Sequence, residues 1–124
     1  MLKAKDIMTP EVVTIRESAW VAEAIELMKR KKVHALVVLP QDEDDAYGIV
    51  SEADIAYKVI GPAKDPKAVN VGDIMTKPCV VINPDLGVEY VARLFANLHI
   101  HKAPVIQEKL LGIVSVSDIL RRAM

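Results

Sequence analysis

Aromatic side chains are scarce in this chain: one Trp, three Tyr and one Phe in 124 residues. A core drawn from it must rest on Val, Ile, Leu and Ala. Cysteine is scarcer still. The single Cys79 excludes an intramolecular disulfide and a multi-cysteine zinc centre, and it fits a reducing compartment. No apolar run approaches the roughly 20 residues that a membrane-spanning helix needs. The opening Met1-Leu2-Lys3-Ala4-Lys5-Asp6 lacks the apolar stretch of a secretory signal. An excess of one charge is missing too. The net charge of −1 gives no broad pull toward nucleic acid or an anionic membrane. These absences point to a soluble, cytoplasmic protein with neither nucleic acid nor membrane among its partners.

What the chain does have is repetition. Asp6-Ile7-Met8-Thr9 returns as Asp73-Ile74-Met75-Thr76. Gly48-Ile49-Val50-Ser51-x-x-Asp54-Ile55 returns as Gly112-Ile113-Val114-Ser115-x-x-Asp118-Ile119. A repeat of this kind sets the architecture before any other signal. Units of this size are marginal alone because they bury too little surface, and stacked on each other they can share a core. The boundaries fall at 6–61 for the first unit, 62–72 for a Pro- and Gly-bearing linker, and 73–123 for the second.

Each unit reads as strand, helix, strand, strand, helix. In the first, Val12-Val13-Thr14-Ile15 is a short β-branched strand. Ser18 is the expected N-cap of a helix whose apolar stripe is Val21, Ala24, Ile25 and Met28. Lys29-Arg30-Lys31-Lys32 closes that helix, where cations suit the dipole. Ala35–Leu39 and Tyr47–Val50 are the next strands, and Ser51 caps a helix running to Ile60, ended by Gly61-Pro62. In the second unit Cys79–Ile82, Ala103–Ile106 and Leu111–Val114 are the strands. Asp85 is the expected N-cap of the helix carrying Val88, Val91, Ala92 and Phe95, and Ser115 that of the last helix, to Arg122.

The D-I-M-T segment, the hydrophobic-His segments around His34 and His101, and the G-I-V-S-x-x-D-I motif occur in that order, twice. This resembles a tandem pair of CBS domains, a Bateman module, over Asp6 to Ala123. The resemblance implies an α/β (α+β) fold of two β-α-β-β-α repeats packed with pseudo-two-fold symmetry, in a stand-alone CBS-domain protein. It implies a regulator that is not an enzyme, with no catalytic residues. The implied ligand is adenosyl: AMP, ADP, ATP or S-adenosylmethionine. The implied partners are a second copy in a disc-like homodimer and a regulated protein that the sequence does not identify.

The Ser-x-x-Asp spacing supports two readings that do not exclude each other. A serine followed three residues later by a carboxylate is a variant of the capping box, and caps a helix. The same geometry suits a ligand: free N–H groups and a hydroxyl face a phosphate, and the carboxylate can hold a ribose cis-diol. The two copies differ. Around Ser115 and Asp118 the chain adds Ser117, His101 and Lys102. Around Ser51 and Asp54 it keeps His34, adds no base after it, and puts Glu52 where Val116 stands; a carboxylate disfavours phosphate. The Asp118 site is therefore ranked as the stronger binder. By resemblance, its pocket borrows Met8, Val13, Val33 and His34, and the weaker Asp54 pocket borrows Met75, Val80, Ile100 and His101, with plain core packing as the alternative for the apolar members.

Other candidates carry less. His99-x-His101 is too small a set for a metal, so no metal site is expected. Lys29–Lys32 reads as a solvated helix end, Arg121-Arg122 as a helix C-terminal charge pair, Cys79 as a core residue, and Asp42–Asp45 as a solvated loop. Trp20 has no functional account beyond a place at the dimer face.

Overall fold

The computed structural model describes residues 1–122, so Ala123, the last residue assigned to the second repeat, lies outside the described residues. In chain order the elements are α1 (Ala4–Ile7), β1 (Thr14–Arg16), α2 (Val21–Lys31), β2 (Ala35–Leu39), β3 (Gly48–Ser51), α3 (Glu52–Ile55), a π-helical turn (Ala56–Ile60), a 3-10 turn (Val71–Asp73), α4 (Val88–Leu98), β4 (Lys102–Gln107), β5 (Lys109–Ser115) and α5 (Val116–Arg122). This is the mixed α/β class read from the sequence.

The elements gather into two compact units. One is continuous, Val13–Cys79; the other is discontinuous, Met1–Val12 together with the chain from Val80 onward. The first D-I-M-T segment thus packs with the second repeat's body, and the second D-I-M-T segment with the first's. Thr9 bridges Ile113, and Thr76 bridges Ile49.

In the continuous unit, β1 runs parallel to β2, and β2 antiparallel to β3. The central strand β2 is buried at four successive positions, as a strand covered on both faces must be. Leu36, Val38, Val50, Val59 and Val71 are fully buried there, with Val21, Ala24 and Met28 from the α2 stripe. In the discontinuous unit β4 and β5 form an antiparallel pair. Its core gathers Ile7, Ile82, Val91, Phe95, Val105 and Val114. Both cores are aliphatic, with Phe95 the one buried aromatic among the described residues.

Several local expectations shift. Ser18 does not cap α2: the N-cap is Trp20, whose N–H donates to the Glu23 carboxylate at 3.4 Å. The chain is still turning at Ser18, whose carbonyl accepts from Asn70 Nδ2 at 2.9 Å. Asp85 does not cap α4 either; the N-cap is Gly87, and Asp85 pairs with Lys5 at 3.1 Å. The Cys79–Ile82 strand reduces to one bridge, Ile82 to Val105. The register of β4 and β5 shifts beside it, between Val105 and Ile106, and Pro84 follows two residues later, so the ladder does not extend. β1 starts at Thr14 rather than Val12. The helix after Ser51 passes into a π-turn, with Gly61 N–H donating to Ala56 O at 2.9 Å. Gly61 itself is right-handed; the left-handed residue is Ala63 at φ 60°.

Candidate functional site

The G-I-V-S-x-x-D-I motif forms a strand end and a helix start, and its glycine has a packing reason. A Cβ on Gly112 would stand 2.6 Å from Met8 Sδ and 2.8 Å from Thr9 O. On Gly48 it would stand 3.1 Å from Thr76 O and 3.3 Å from Met75 Sδ. The glycines let a D-I-M-T segment lie against the strand that leads into each serine. Met8 and Met75 are thereby fixed next to the motif of their own compact unit.

At the strand end, Ser115 N–H donates to Asp118 Oδ2 at 2.9 Å, and its hydroxyl donates to the same oxygen at 3.0 Å. Asp118 N–H donates back to Ser115 Oγ at 3.1 Å. Ser51 and Asp54 repeat this at 2.9, 3.1 and 3.2 Å. Both capping boxes are complete. The other carboxylate oxygen takes a cation one turn on: Arg121 Nη2 at 2.6 Å from Asp118 Oδ1, and Lys58 Nζ at 3.1 Å from Asp54 Oδ1. Asp118 is the one buried charged residue among those described, at 4% exposure. Burying a carboxylate is costly unless it is paired and hydrogen-bonded, and here it is both. The sequence reading missed Arg121 and Lys58 as partners. Their spacing of three and four from the aspartates was the available signal.

The histidines sit beside the motif in the same way in both units. Glu52 N–H donates to His34 O at 3.0 Å, and Val116 N–H to His101 O at 2.8 Å. They differ in what faces them. His34 Nδ1 lies 3.0 Å from Glu52 Oε1, so in the continuous unit the imidazole is engaged by the carboxylate thought hostile to phosphate. His101 and Ser117 are exposed, and Lys102 is half-buried on β4. Val13, Val33 and Met75 pack against the core of the continuous unit. Met8, Val80 and Ile100 pack against that of the other. Of the residues assigned to the Asp118 pocket, Val13, Val33 and His34 belong to the continuous unit, and the rest share Asp118's own.

The remaining candidates resolve as follows. Asp45 is more than a solvated loop residue: it pairs with Lys77, which also holds Glu17 at 2.8 Å. The hydrogen bond from Lys77 keeps the Asp45 carboxyl below its usual range, and the same bond raises the Lys77 ammonium. Burial pushes the half-buried Cys79 thiol up, away from nucleophilic reactivity. His99 is the left-handed C-cap of α4, φ 55°. Among the described residues no group of three or more His, Cys, Asp or Glu converges as a metal site would require. No helix among them is long and apolar enough to cross a membrane. A groove of about 690 Å³ in the continuous unit lies between α2 and the α3/π segment, floored by Ile25, Met28, Ile55 and Ile60 and edged by Lys29, Lys32, His34 and Glu52.

Two copies of this fold, each with a serine-anchored aspartate, define a class. The family model of the CBS domain matches twice, at residues 4–61 and 71–124, and the chain belongs to that family as a tandem pair. Among solved structures, a hexameric CBS-CP12 protein from bloom-forming cyanobacteria is 61% identical with a TM-score of 0.96, over 98% of this chain and 72% of that one. The CBS domain-containing protein YhcV of Bacillus subtilis (strain 168) is 31% identical over 96% of this chain and 84% of its own length. Two other curated relatives are longer, and the chain spans 52% and 51% of them. CBSX2 in complex with AMP has a TM-score of 0.80 at 26% identity, over 99% of this chain and 97% of that one. The CBS domain pair of protein MJ0100, in complex with 5′-methylthioadenosine and S-adenosyl-L-methionine, has a TM-score of 0.83 at 26% identity, over 97% and 94%.

Proposed function

We propose that this chain is a regulatory module, not an enzyme, which binds an adenosyl ligand and reports energy or metabolite status to another protein. The observation that carries the reading is the buried Asp118, oriented by Ser115 and repeated as Asp54 with Ser51. A carboxylate held in one rotamer by its own serine is pre-organised to read a ribose diol. CBSX2 with AMP and the MJ0100 pair with S-adenosyl-L-methionine lend the ligand class. The Asp118 site is the stronger, because the equivalent place beside Asp54 carries Glu52, paired with His34. Self-association belongs to the same reading. The CBS-CP12 neighbour is hexameric, and Tyr57, Ile60, Tyr90 and Leu120 are large apolar side chains left exposed here.

Titration calorimetry with AMP, ATP and S-adenosylmethionine tests it. Asp118→Asn is expected to weaken the best ligand about tenfold or more while the fold persists, and Asp54→Asn to weaken it less. The completeness of both capping boxes favours a second reading, a purely structural interaction module. A thermal-shift panel separates the two, since a ligand of the folded state must raise its stability. If no adenosyl compound raises the melting temperature at millimolar concentration, the structural reading stands and the sensor reading falls.

A further inference from the structure

Three of the roughly four acceptor positions on each aspartate are taken within its own unit. In each, Oδ2 accepts the N–H and the hydroxyl of the capping serine, and Oδ1 accepts Arg121 or Lys58. A carboxylate offers about four acceptor positions on its two oxygens. A cis-diol takes two of them side by side. With Oδ2 filled by serine and a cation on Oδ1, about one position remains where the diol needs two.

We infer that Arg121 and Lys58 are internal competitors for the ligand: an adenosyl group binds by displacing the cation from Oδ1, and at Asp54 the exchange also loosens the hold of Lys58 on the second D-I-M-T segment. The inference rests on the adenosyl-binding reading and adds its regulation. Arg121 is suited to leave. Its side chain is 65% exposed although Asp118's is 5% exposed, so the guanidinium swings into water without opening a buried gap. A separate residue, Arg122, holds the carbonyl of Asp6 at 3.3 Å, and that contact does not depend on Arg121. Lys58 does both jobs alone. Its ammonium binds Asp54 Oδ1 at 3.1 Å and the carbonyl of Ile74 at 2.9 Å. A ligand that pulls Asp54 away removes one of the two anchors that hold the ammonium against Ile74. The Asp118 site is therefore a simple exchange, and the Asp54 site is a coupled one.

Adenosine, which has no phosphate for a freed cation to bind, is the probe. Calorimetry compares the intact protein with its Arg121→Gln, Lys58→Gln and Asp118→Asn variants. At the Asp118 site, Arg121→Gln is expected to bind adenosine about two- to fivefold tighter, the scale of one partly exposed ion pair, and Asp118→Asn to lose the stronger binding event. A merely structural role for Arg121 would leave affinity unchanged or lower it. Unchanged or weaker binding by Arg121→Gln, with Asp118→Asn still lacking the stronger event, overturns the competition and leaves the adenosyl reading standing. Undiminished binding by Asp118→Asn, or no adenosine binding by any form, overturns that reading itself. Amide exchange checks the coupling. Saturating adenosine should speed exchange at residues 74–76 in the intact protein and leave residues 6–9 unchanged, and Lys58→Gln should exchange faster than the parent at 74–76 without ligand. Equal protection of residues 74–76 in all three states removes the coupling.

Discussion

In the continuous unit, Ile49 pairs with Thr76 a short way down the chain; in the discontinuous unit, Ile113 pairs with Thr9 across almost the whole sequence. The contacts are equivalent, but the loops they close are not. The second loop is about four times as long, and each doubling costs about 0.6 kcal/mol of closure entropy. The discontinuous unit thus begins at a disadvantage of about 1 kcal/mol. The D-I-M-T segment also lies closer to its strand there: an added Cβ would stand 2.6 Å from its nearest neighbour at Gly112 and 3.1 Å at Gly48. Equal motifs therefore do not imply equal stability: the same sequence element is a local clasp in one unit and a long-range one in the other.

The largest effect is expected at Ile7, 2% exposed in the core of the discontinuous unit. Ile7→Ala should cost about 3 kcal/mol through the lost burial and the cavity left behind. Denaturant unfolding should show the loss, and proteolysis should nick residues 1–12 first. Ile74→Ala, at 4% exposure, should cost a similar amount with less nicking in its segment, because its clasp closes the shorter loop. If both variants are cut at the same rate within their segments, the contrast between clasps is wrong.

Next comes Gly112→Ala, expected to cost about 2 kcal/mol because the methyl meets a backbone carbonyl as well as the movable Met8. Gly48→Ala should cost about half as much, since its nearest contact is 3.1 Å away. Equal melting temperatures for the two variants would remove the claim of a tighter fit.

The smallest effect is electrostatic. Asp45 has its pKa lowered and Lys77 has its pKa raised, each first by the hydrogen bond to the other. The Asp45 contribution is present above the ordinary carboxyl value of 3.8 and is lost as pH falls through the lowered one. The Lys77 contribution is present below 10.5 and is lost as pH rises through the raised value. Lys77→Met should therefore melt lower than the parent near neutral pH, and the gap should close at both extremes. In the discontinuous unit, Asp85 is lowered chiefly by its hydrogen bond to Lys5. That pair is about half exposed, against about one-fifth for Lys77 and its partners. Added salt should erase the effect of Lys5→Met and leave most of that of Lys77→Met. A gap for Lys77→Met that is constant from acid to alkaline pH would show that its role is packing.

Much of this was legible because the repeat carries it. Two copies of D-I-M-T and of G-I-V-S-x-x-D-I, with aliphatic runs between them, mark the family and place β2, β4, β5 and both serine caps. What stayed hidden is what depends on three-dimensional neighbours. Ser18 and Asp85 are good capping residues, yet the chain is still turning at both, and propensity cannot see the turn. Cys79–Ile82 has strand composition, but its partner strand shifts register at Val105. The exchange of D-I-M-T segments between repeats leaves no mark in either copy, apart from glycines whose neighbours lie far away in sequence. At the site, the aspartates were visible and their cations were not, since Lys58 and Arg121 look like ordinary surface charges until the rotamers meet.

The membership of Met1–Val12 in the discontinuous unit also bears on how the protein is made. Ala4 and Ile7, buried in the finished fold, are made about 100 residues before Gly112–Ser115 of β5, the strand that α1 packs beside. At about 5–20 residues per second, that apolar stretch waits roughly 5–20 seconds for its partner. The continuous unit can close in the meantime. Nascent chains stalled before Gly112 should therefore carry one folded body, Val13–Cys79, and leave the apolar face of residues 1–12 without its partner.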